Sequence, residues 1–239
     1  MRILLTNDDG YFSPGIIRLR EILENYGEVF LVAPKKVQSA KGCALTIDSP
    51  LIVEKVDQNT YVVDGTPVDC VIFGISNISK IDLIVSGCNN LPNLSNDTIY
   101  SGTCAACIQG LMSGYKTIAF SCAGKSFFDQ LDKYVPKALD FIFSNDLLSD
   151  QYFLNVNFPN VNFEENKGIL LTKLYYQKIK YSTSSYKGDE FISDRKMDWN
   201  LKDISYDVGA FNKGYISITP MAGSNFNQDI LSLLEGKIK

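Results

Sequence analysis

The chain has 239 residues, 45% of them hydrophobic and 21% charged, so it is long enough to bury a sizeable core. It contains no histidine, which excludes Ser-His-Asp and Cys-His catalysis and any zinc or haem held by imidazole. The net charge of −4 argues against a protein that binds nucleic-acid duplexes through a broad basic face, but it leaves a small phosphorylated ligand open.

The first two thirds of the chain alternate apolar runs with helical patterns, as in parallel strands joined by crossover helices. From the N-terminus we predict a strand at 2–6, a helix from an N-cap at Ser13 to about 27, a strand at 28–33, a polar loop at 35–42, strands at 45–47, 51–56 and 60–63, and a helix capped by Thr66 through 75. There follow a strand at 82–86, an Asn-rich loop at 87–100, a helix at 101–112, a strand at 117–121, a long helix at 127–143 and a strand at 152–157.

Residues 160–213 are rich in Tyr, Lys, Ser and Asp and show poor periodicity, which predicts an extension or hairpin before a strand at 215–219 and a terminal helix at 227–234. The predicted fold is therefore α/β, with a doubly wound, mostly parallel sheet of the Rossmann-like type. We predict one domain over 1–239, with a core at about 1–159 and a C-terminal β extension at 160–239 used in oligomerisation.

Six cysteines lie in mostly apolar surroundings, and the chain opens with a strand rather than a signal-peptide pattern, so we expect reduced thiols packed in a cytoplasmic protein. Cys104 and Cys107 are spaced as CxxC, but a structural zinc site needs about four ligands and no second pair exists. Core packing is therefore favoured over a redox or metal role. No apolar run reaches the roughly 20 residues of a membrane span, so no membrane partner is expected.

Two adjacent carboxylates follow the first predicted strand in the motif Asn7-Asp8-Asp9-Gly10. At the end of a buried strand such charges repel each other, and a cation relieves the repulsion. The motif is also typical of an Asx turn that leads into a helix. Because a turn or a helix cap requires only one acid, we favour a metal site.

Two further polar loops follow predicted strands, at the sheet edge where ligands bind in open α/β folds. The loop at 35–42 carries Ser39 among three lysines, which are more typical of a solvated surface than of a phosphate site. The loop at 87–100 is rich in asparagine, whose amide offers an oxygen to a hard cation and an N–H to a phosphate. It leads to residues 101–103 at a predicted helix start, where free N–H groups favour an anion, although asparagine is also common in loops and serine at N-caps.

Several missing motifs narrow the ligand class. The chain has no Gly-x-Gly-x-x-Gly for a dinucleotide, no Gly-x4-Gly-Lys-Ser/Thr for a triphosphate and no Gly-x-Ser-x-Gly for an esterase. Asp-x-Asp, which a phosphatase with an aspartyl nucleophile would need at the first strand end, is also missing.

Six segments of the chain, in this order and spacing, resemble the SurE family (survival protein E), which comprises metal-dependent nucleotidases: RILLTNDDG (2–10), VAP (32–34) with Ser39, GTPVDC (65–70), DLIVSGCN (82–89), YSGT (100–103) and GYISITP (214–220). The resemblance implies that one divalent cation per subunit, Mg²⁺ or Mn²⁺, is held by Asp8, Asp9, Ser39 and Asn89. We assign catalysis to Asp8 and Asp9, and binding of the substrate phosphate to Asn93, Ser101, Gly102 and Thr103.

The predicted reaction is hydrolysis of nucleoside 5′-monophosphates, with 3′-monophosphates or short polyphosphate as further candidate substrates. In the family the irregular C-terminal segment exchanges between subunits, so a homodimer or tetramer is expected. The family loop usually reads Asn-x-Gly-x-Asn-x-Gly, whereas Leu91 and Ser95 occupy the two glycine positions here. Since Leu91 does not easily adopt a positive φ, we expect this loop to take a different path.

Two alternative functions belong to other classes of protein. A phospho-receiver signalling module also places an acid pair after its first strand, and Asp8, Asp9, Asp64 and Lys125 follow predicted strands as its residues would. The run of strands between 45 and 63 breaks the regular alternation that such a module needs, and the Asn-rich loop would have no role in it. The other alternative is a protein that binds a nucleotide without turning it over.

Overall fold

The computed structural model describes residues 1–187 and 190–223 of the chain. Its strands are β1 (Arg2–Thr6), β2 (Glu28–Pro34), β3 (Val53–Lys55), β4 (Thr60–Val63), β5 (Leu83–Asn89), β6 (Thr117–Ser121), β7 (Phe153–Asn157), β8 (Ile169–Leu171), β9 (Lys180–Lys187), β10 (Glu190–Lys196) and β11 (Ile216–Met221). Its α-helices are α1 (Pro14–Leu23), α2 (Pro67–Asn77), α3 (Gly102–Met112), α4 (Leu131–Ser144) and α5 (Asp207–Asn212).

Within the described ranges, nine strands form the main sheet in the order β3-β4-β2-β1-β5-β6-β7-β11-β8. The six strands from β4 to β7 in this order run parallel, whereas β3 and β11 pair antiparallel with β4 and β7. From β1 the chain first builds one side of the sheet and then crosses to the other side with β5. This arrangement confirms the predicted α/β fold with a doubly wound, mostly parallel sheet.

The two faces of the sheet are buried under different helices, as β1 illustrates. Ile3 and Leu5 pack in the core that includes residues of α1 and α4, whereas Leu4 packs in the core that includes residues of α2. Side chains alternate between the faces of a strand, so a strand covered on both sides has the continuous apolar sequence seen at 2–6. Polar side chains can then gather in the loops beyond the strand ends.

The cap predicted for α2 is present, whereas two predicted elements are wrong. Thr66 accepts a hydrogen bond from the Asp69 N–H at 3.2 Å, and its own N–H donates to the Asp69 carboxylate at 2.8 Å. The run at 45–47 is not a strand, because it finds no partner strand and Ile47 is 79% exposed. The helix predicted at 127–143 begins only at Leu131, since the preceding 3₁₀ helix (Lys125–Gln130) turns both Phe127 and Phe128 into the core.

The segment after residue 159 contributes to two sheets. β9 and β10 form the predicted hairpin as a separate antiparallel pair, which we call the β9–β10 hairpin. β8 and β11 join the main sheet beside β7, so the sheet itself extends into the segment predicted as an extension. The terminal helix predicted at 227–234 lies outside the described residues.

Five of the six cysteines are buried, as the prediction of packed thiols requires. Burial raises the pKa of Cys104 to about 12, which disfavours the thiolate needed for redox or metal chemistry. Cys43 is exposed and departs from the prediction, because it lies in the loop region between β2 and β3 that forms no strand. Across the described residues, no helix is long and apolar enough to cross a membrane.

Candidate active site

The loops that follow β1, β2 and β5 meet at the carboxyl edge of the sheet. β1 lies between β2 and β5, and the chain changes sides of the sheet at this point. In open α/β sheets, ligands bind in the crevice at such a switch point. Asp8 and Asp9 follow β1, Ser39 follows β2, and Asn89 ends β5, so the fold brings the four predicted metal ligands to one edge.

Asn7 shapes the turn that presents the two carboxylates. Its side-chain amide donates to the Gly10 carbonyl at 3.0 Å and to the Ser13 hydroxyl at 2.8 Å, and its oxygen accepts from the Gly10 N–H at 3.2 Å. Gly10 has a φ of +93°, a backbone conformation that residues with a Cβ rarely adopt. The motif is thus an Asx-type turn, with Asn7 making the turn and the two aspartates available for another role.

Asp8 is a buried carboxylate held against the start of α3. Only 4% of it is exposed, and it accepts hydrogen bonds from the Thr103 hydroxyl at 2.7 Å and from the Gly102 N–H. Burial raises its pKa from 3.8 to about 6, and the neighbouring Asp9 carboxylate adds to this, whereas the bond from Thr103 opposes it. Burial and the neighbouring carboxylate thus both disfavour the ionised form of Asp8.

Gly102 is required for this close approach. A Cβ built on it would lie 2.7 Å from the Asp8 Cβ and 3.2 Å from an Asp8 carboxylate oxygen. The first turn of α3 and the loop after β1 can therefore touch only if position 102 has no side chain. This contact is what directs the positive end of α3 at Asp8.

The loop at 35–42 is tied to the same place by its backbone. The Gln38 N–H donates to the Asp8 carbonyl at 2.7 Å, and the Gly42 N–H donates to the Tyr100 carbonyl at 3.0 Å. Ser39 lies between these two anchors, which explains how a residue 30 positions from Asp9 reaches the site. Lys35, Lys36 and Lys41 are exposed, in agreement with the interpretation of a solvated loop.

The Asn-rich loop is held by a network of buried amides. Asn93 accepts at its carbonyl from the side chains of Asn155 and Asn157, its N–H donates to Asn157, and its side chain donates to Ser121 at 2.8 Å. Asn89 donates from its side-chain nitrogen to the Leu91 carbonyl at 2.7 Å. The side-chain oxygen of Asn89 therefore points away from Leu91. Polar residues near the ends of β6 and β7 therefore fix the loop that follows β5.

The two positions where the loop departs from the family pattern behave differently. Leu91 is 64% exposed and stays outside the left-handed region, whereas Ser95 adopts a φ of +54°. Ser95 is held there by its N–H, which donates to the buried Asp207 carboxylate at 2.7 Å, and by its hydroxyl, which donates to the Tyr175 carbonyl. Residues from the C-terminal segment thus stabilise a conformation that a glycine would adopt more easily.

Two neighbouring cavities open at this edge, and Ser39 and Asn90 line both of them. The Asp8 cavity has a volume of about 370 Å³, and its lining includes Asp8, Asn89, Asn93, Tyr100, Ser101 and Arg195. The Asp9 cavity has a volume of about 650 Å³, and its lining includes Asp9, Phe12, Lys35, Lys36, Val37 and Phe128. The predicted metal ligands therefore lie where the two cavities adjoin.

The residues predicted to bind phosphate fall into two pairs. Asn93 and Ser101 line the Asp8 cavity, and the Ser101 hydroxyl accepts from the Cys104 N–H. Gly102 and Thr103 instead direct their N–H and hydroxyl at Asp8. Phosphate binding by all four residues stays a prediction, and the second pair has a positioning contact that sequence reasoning did not assign.

Arg195 is a further residue of the Asp8 cavity that sequence reasoning missed. It lies on β10, forms an ion pair with Asp97 and stands over the Tyr100 ring at 5.7 Å from its centroid. No motif marks it in the sequence, because a hairpin 100 residues away must fold back to bring it there. Asp64, the residue of the receiver alternative, follows β4, which β2 separates from β1, and it lines neither cavity.

The donor set at the junction of the cavities suits a hard divalent cation. It consists of two carboxylates, a hydroxyl and an amide oxygen, and burial disfavours the ionised form of Asp8 unless a positive charge compensates it. Within residues 1–187 and 190–223, this edge of the sheet included, no three Cys, Asp or Glu side chains cluster as a metal site.

Comparison with known proteins assigns the chain to a family. The family model of survival protein SurE matches residues 3–181. The chain belongs to the SurE family. Among relatives of this SurE-family chain, 5′-nucleotidase SurE of Aquifex aeolicus (strain VF5) is 39% identical over 229 residues, which cover 91% of this chain and 90% of that protein. The 5′-nucleotidase SurE of Geotalea uraniireducens (strain Rf4) is 37% identical over 244 residues, which cover 98% of each chain.

The crystal structure of SurE protein from Aquifex aeolicus superposes on this SurE-family fold with a TM-score of 0.87 at 34% identity, and all of both chains is covered. The resemblance based on six short segments is thus confirmed over nearly the whole length.

Proposed function

We propose that the protein is a divalent-metal-dependent phosphomonoesterase that hydrolyses nucleoside 5′-monophosphates to nucleoside and phosphate. The observation that carries this proposal is the buried Asp8 carboxylate, directed into a cavity next to Asp9, Ser39 and Asn89 at the switch point of the sheet. The names of the relatives support the substrate class.

In this proposal Asp8, Asp9, Ser39 and Asn89 hold one Mg²⁺ or Mn²⁺. All four offer oxygen, which favours these ions over zinc. A divalent cation supplies Lewis acidity, which acidifies water and neutralises charge that develops on phosphate oxygens.

The chain's own residues supply positioning and proton transfer. We assign to Asp9 the orientation and deprotonation of the attacking water, because it is less buried than Asp8 and lines the larger of the two cavities. Ser101 and Asn93 line the wall on which non-bridging phosphate oxygens would rest, with the Ser101 hydroxyl as donor. Attack of the water oxygen on phosphorus breaks the phosphorus–ester bond, and the nucleoside leaves with a proton.

The experiment is to measure phosphate release from a panel of nucleoside 5′- and 3′-monophosphates and short polyphosphate, with EDTA, Mg²⁺ or Mn²⁺. We expect release from 5′-monophosphates that stops in EDTA and returns with excess metal. Undiminished release in EDTA would contradict the metal dependence, and no release from any substrate with either metal would contradict the whole proposal.

We further propose that the protein self-associates as a homodimer or tetramer. The β9–β10 hairpin forms a sheet of its own, and an isolated two-stranded sheet is marginal in stability without a packing partner. Ile192 and Tyr181 on this hairpin are 57% and 60% exposed. Light scattering at micromolar concentration should give a multiple of the 26.7 kDa chain mass, and a monomer mass would contradict self-association.

A further inference from the structure

Three side chains that line the Asp8 cavity contact one another. Arg195 and Tyr100 line the cavity, and the Arg195 guanidinium lies over the Tyr100 ring at 5.7 Å. Asp97, which also lines the cavity, forms an ion pair with Arg195. We call Asp97, Tyr100 and Arg195 the Arg195 platform.

The platform is held together by contacts among its own side chains. The Arg195 guanidinium contacts both the Asp97 carboxylate and the Tyr100 ring. Tyr181 on β9 forms a hydrogen bond with Tyr100, and this bond is the largest cause of the raised pKa of Tyr181. The Arg195 side chain remains 35% exposed, so part of it is available to a ligand.

The chemistry of the platform fits an aromatic base better than a phosphate dianion. Asp97 already neutralises the charge of Arg195, which weakens attraction for a second anion. Guanidinium groups and tyrosine rings are both planar groups on which nucleobases stack. Arg195 is also the one cation among the described lining residues of this cavity.

Position in the cavity supports the same ligand. Asn93 and Ser101 line one part of its wall and the platform lines another, within a volume of about 370 Å³ that lies in the range of small-molecule sites. A nucleoside monophosphate whose phosphate rests on Ser101 would extend its nucleoside part into the same cavity. We propose that the Arg195 platform binds the nucleobase of the substrate, so that the β9–β10 hairpin determines substrate specificity; this inference rests on the proposed function.

The test compares Arg195→Ala with the parent on two substrates, a purine nucleoside 5′-monophosphate and glycerol phosphate, which has no base. We expect the KM of the nucleotide to rise about 10-fold with kcat nearly unchanged, since stacking is lost, while kcat/KM for glycerol phosphate changes less than about 2-fold. Competitive inhibition by the free nucleoside should weaken by the same factor, and inhibition by inorganic phosphate should not. Arg195→Lys, which keeps the charge without the planar group, should lose most of the nucleoside affinity.

Arg20→Ala is the matched control, because Arg20 also pairs with a single carboxylate, is similarly exposed at 29%, and contacts Thr60 at the opposite edge of the sheet. Equal losses of kcat/KM on both substrates in Arg195→Ala would indicate that Arg195 binds the phosphate, and would overturn the inference. Unchanged kinetics in Arg195→Ala, with a higher nucleotide KM in Phe12→Ala, would place the base in the Asp9 cavity and also overturn it. A parent protein inactive on both substrates would instead refute the proposed function.

Discussion

The Asp8 cavity has two walls of different construction. On the inner wall, Asp8, Asn93 and Ser101 are buried in the loops after β1 and β5 and at the start of α3, and hydrogen bonds hold each of them in place. On the outer wall, Tyr100 and Arg195 are partly exposed, and Arg195 comes from a hairpin outside the main sheet. A reacting phosphate needs fixed groups in a medium that strengthens electrostatic forces, whereas a base needs a flat surface with an open side.

Asp8→Asn should have the largest effect, because it removes a charge from the inner wall. We expect phosphate release with saturating nucleotide to fall by at least about 10²–10³-fold, since several kcal/mol of electrostatic stabilisation are lost. Phosphate-release assays with Mn²⁺, together with circular dichroism to confirm the fold, check this. Turnover within about 2-fold of the parent would show that the inner wall does not carry the chemistry.

Thr103→Val tests whether the inner wall depends on groups behind it. It removes the hydroxyl that donates to Asp8 at 2.7 Å and keeps a similar shape. We expect activity or metal affinity to fall about 10- to 100-fold, as for other positioning contacts behind metal ligands. Thr103→Ser retains the hydroxyl and should restore most of the loss; equal losses in both variants would attribute the effect to packing.

The burial of Asp8 also has a consequence for stability. In EDTA at pH 8, Asp8→Asn should raise the free energy of unfolding by about 1–3 kcal/mol, because it removes a carboxylate whose ionisation folding disfavours. The folded state holds the Asp8 proton with a pKa of about 6, against 3.8 without burial, so the parent gains stability as pH falls from about 6 to 4. The difference in the free energy of unfolding between variant and parent, measured by urea denaturation, should therefore be largest above pH 6 and should shrink towards pH 4. A difference independent of pH would contradict this account.

Asp97→Asn should have the smallest effect, because it loosens the outer wall without removing the stacking groups. The ion pair is partly exposed, and such pairs contribute about 1 kcal/mol or less. We expect the nucleotide KM to rise about 2- to 5-fold and kcat/KM for glycerol phosphate to stay the same. Asp132→Asn, which breaks the exposed pair with Arg18, is the control and should change neither value.

The inner wall was largely predictable from sequence and the outer wall was not. Asp8, Asp9 and Asn89 each follow or end a buried strand, and parallel strands end at one edge, so a local pattern was enough to group them. The contacts of Thr103 and Gly102 with Asp8 join segments about 95 residues apart, and no spacing rule reveals them. Arg195 carries no local signal at all, since its position depends on where the β9–β10 hairpin folds.

The sequence by itself determined the strands of the parallel sheet and the cap of α2, because these depend on apolar runs and capping residues. Only the tertiary structure decided that 45–47 is no strand, that β8 and β11 extend the main sheet, and which side chains line each cavity. Local elements follow from interactions between neighbours in the chain, whereas the lining of a cavity follows from packing between segments that the sequence separates by a hundred residues.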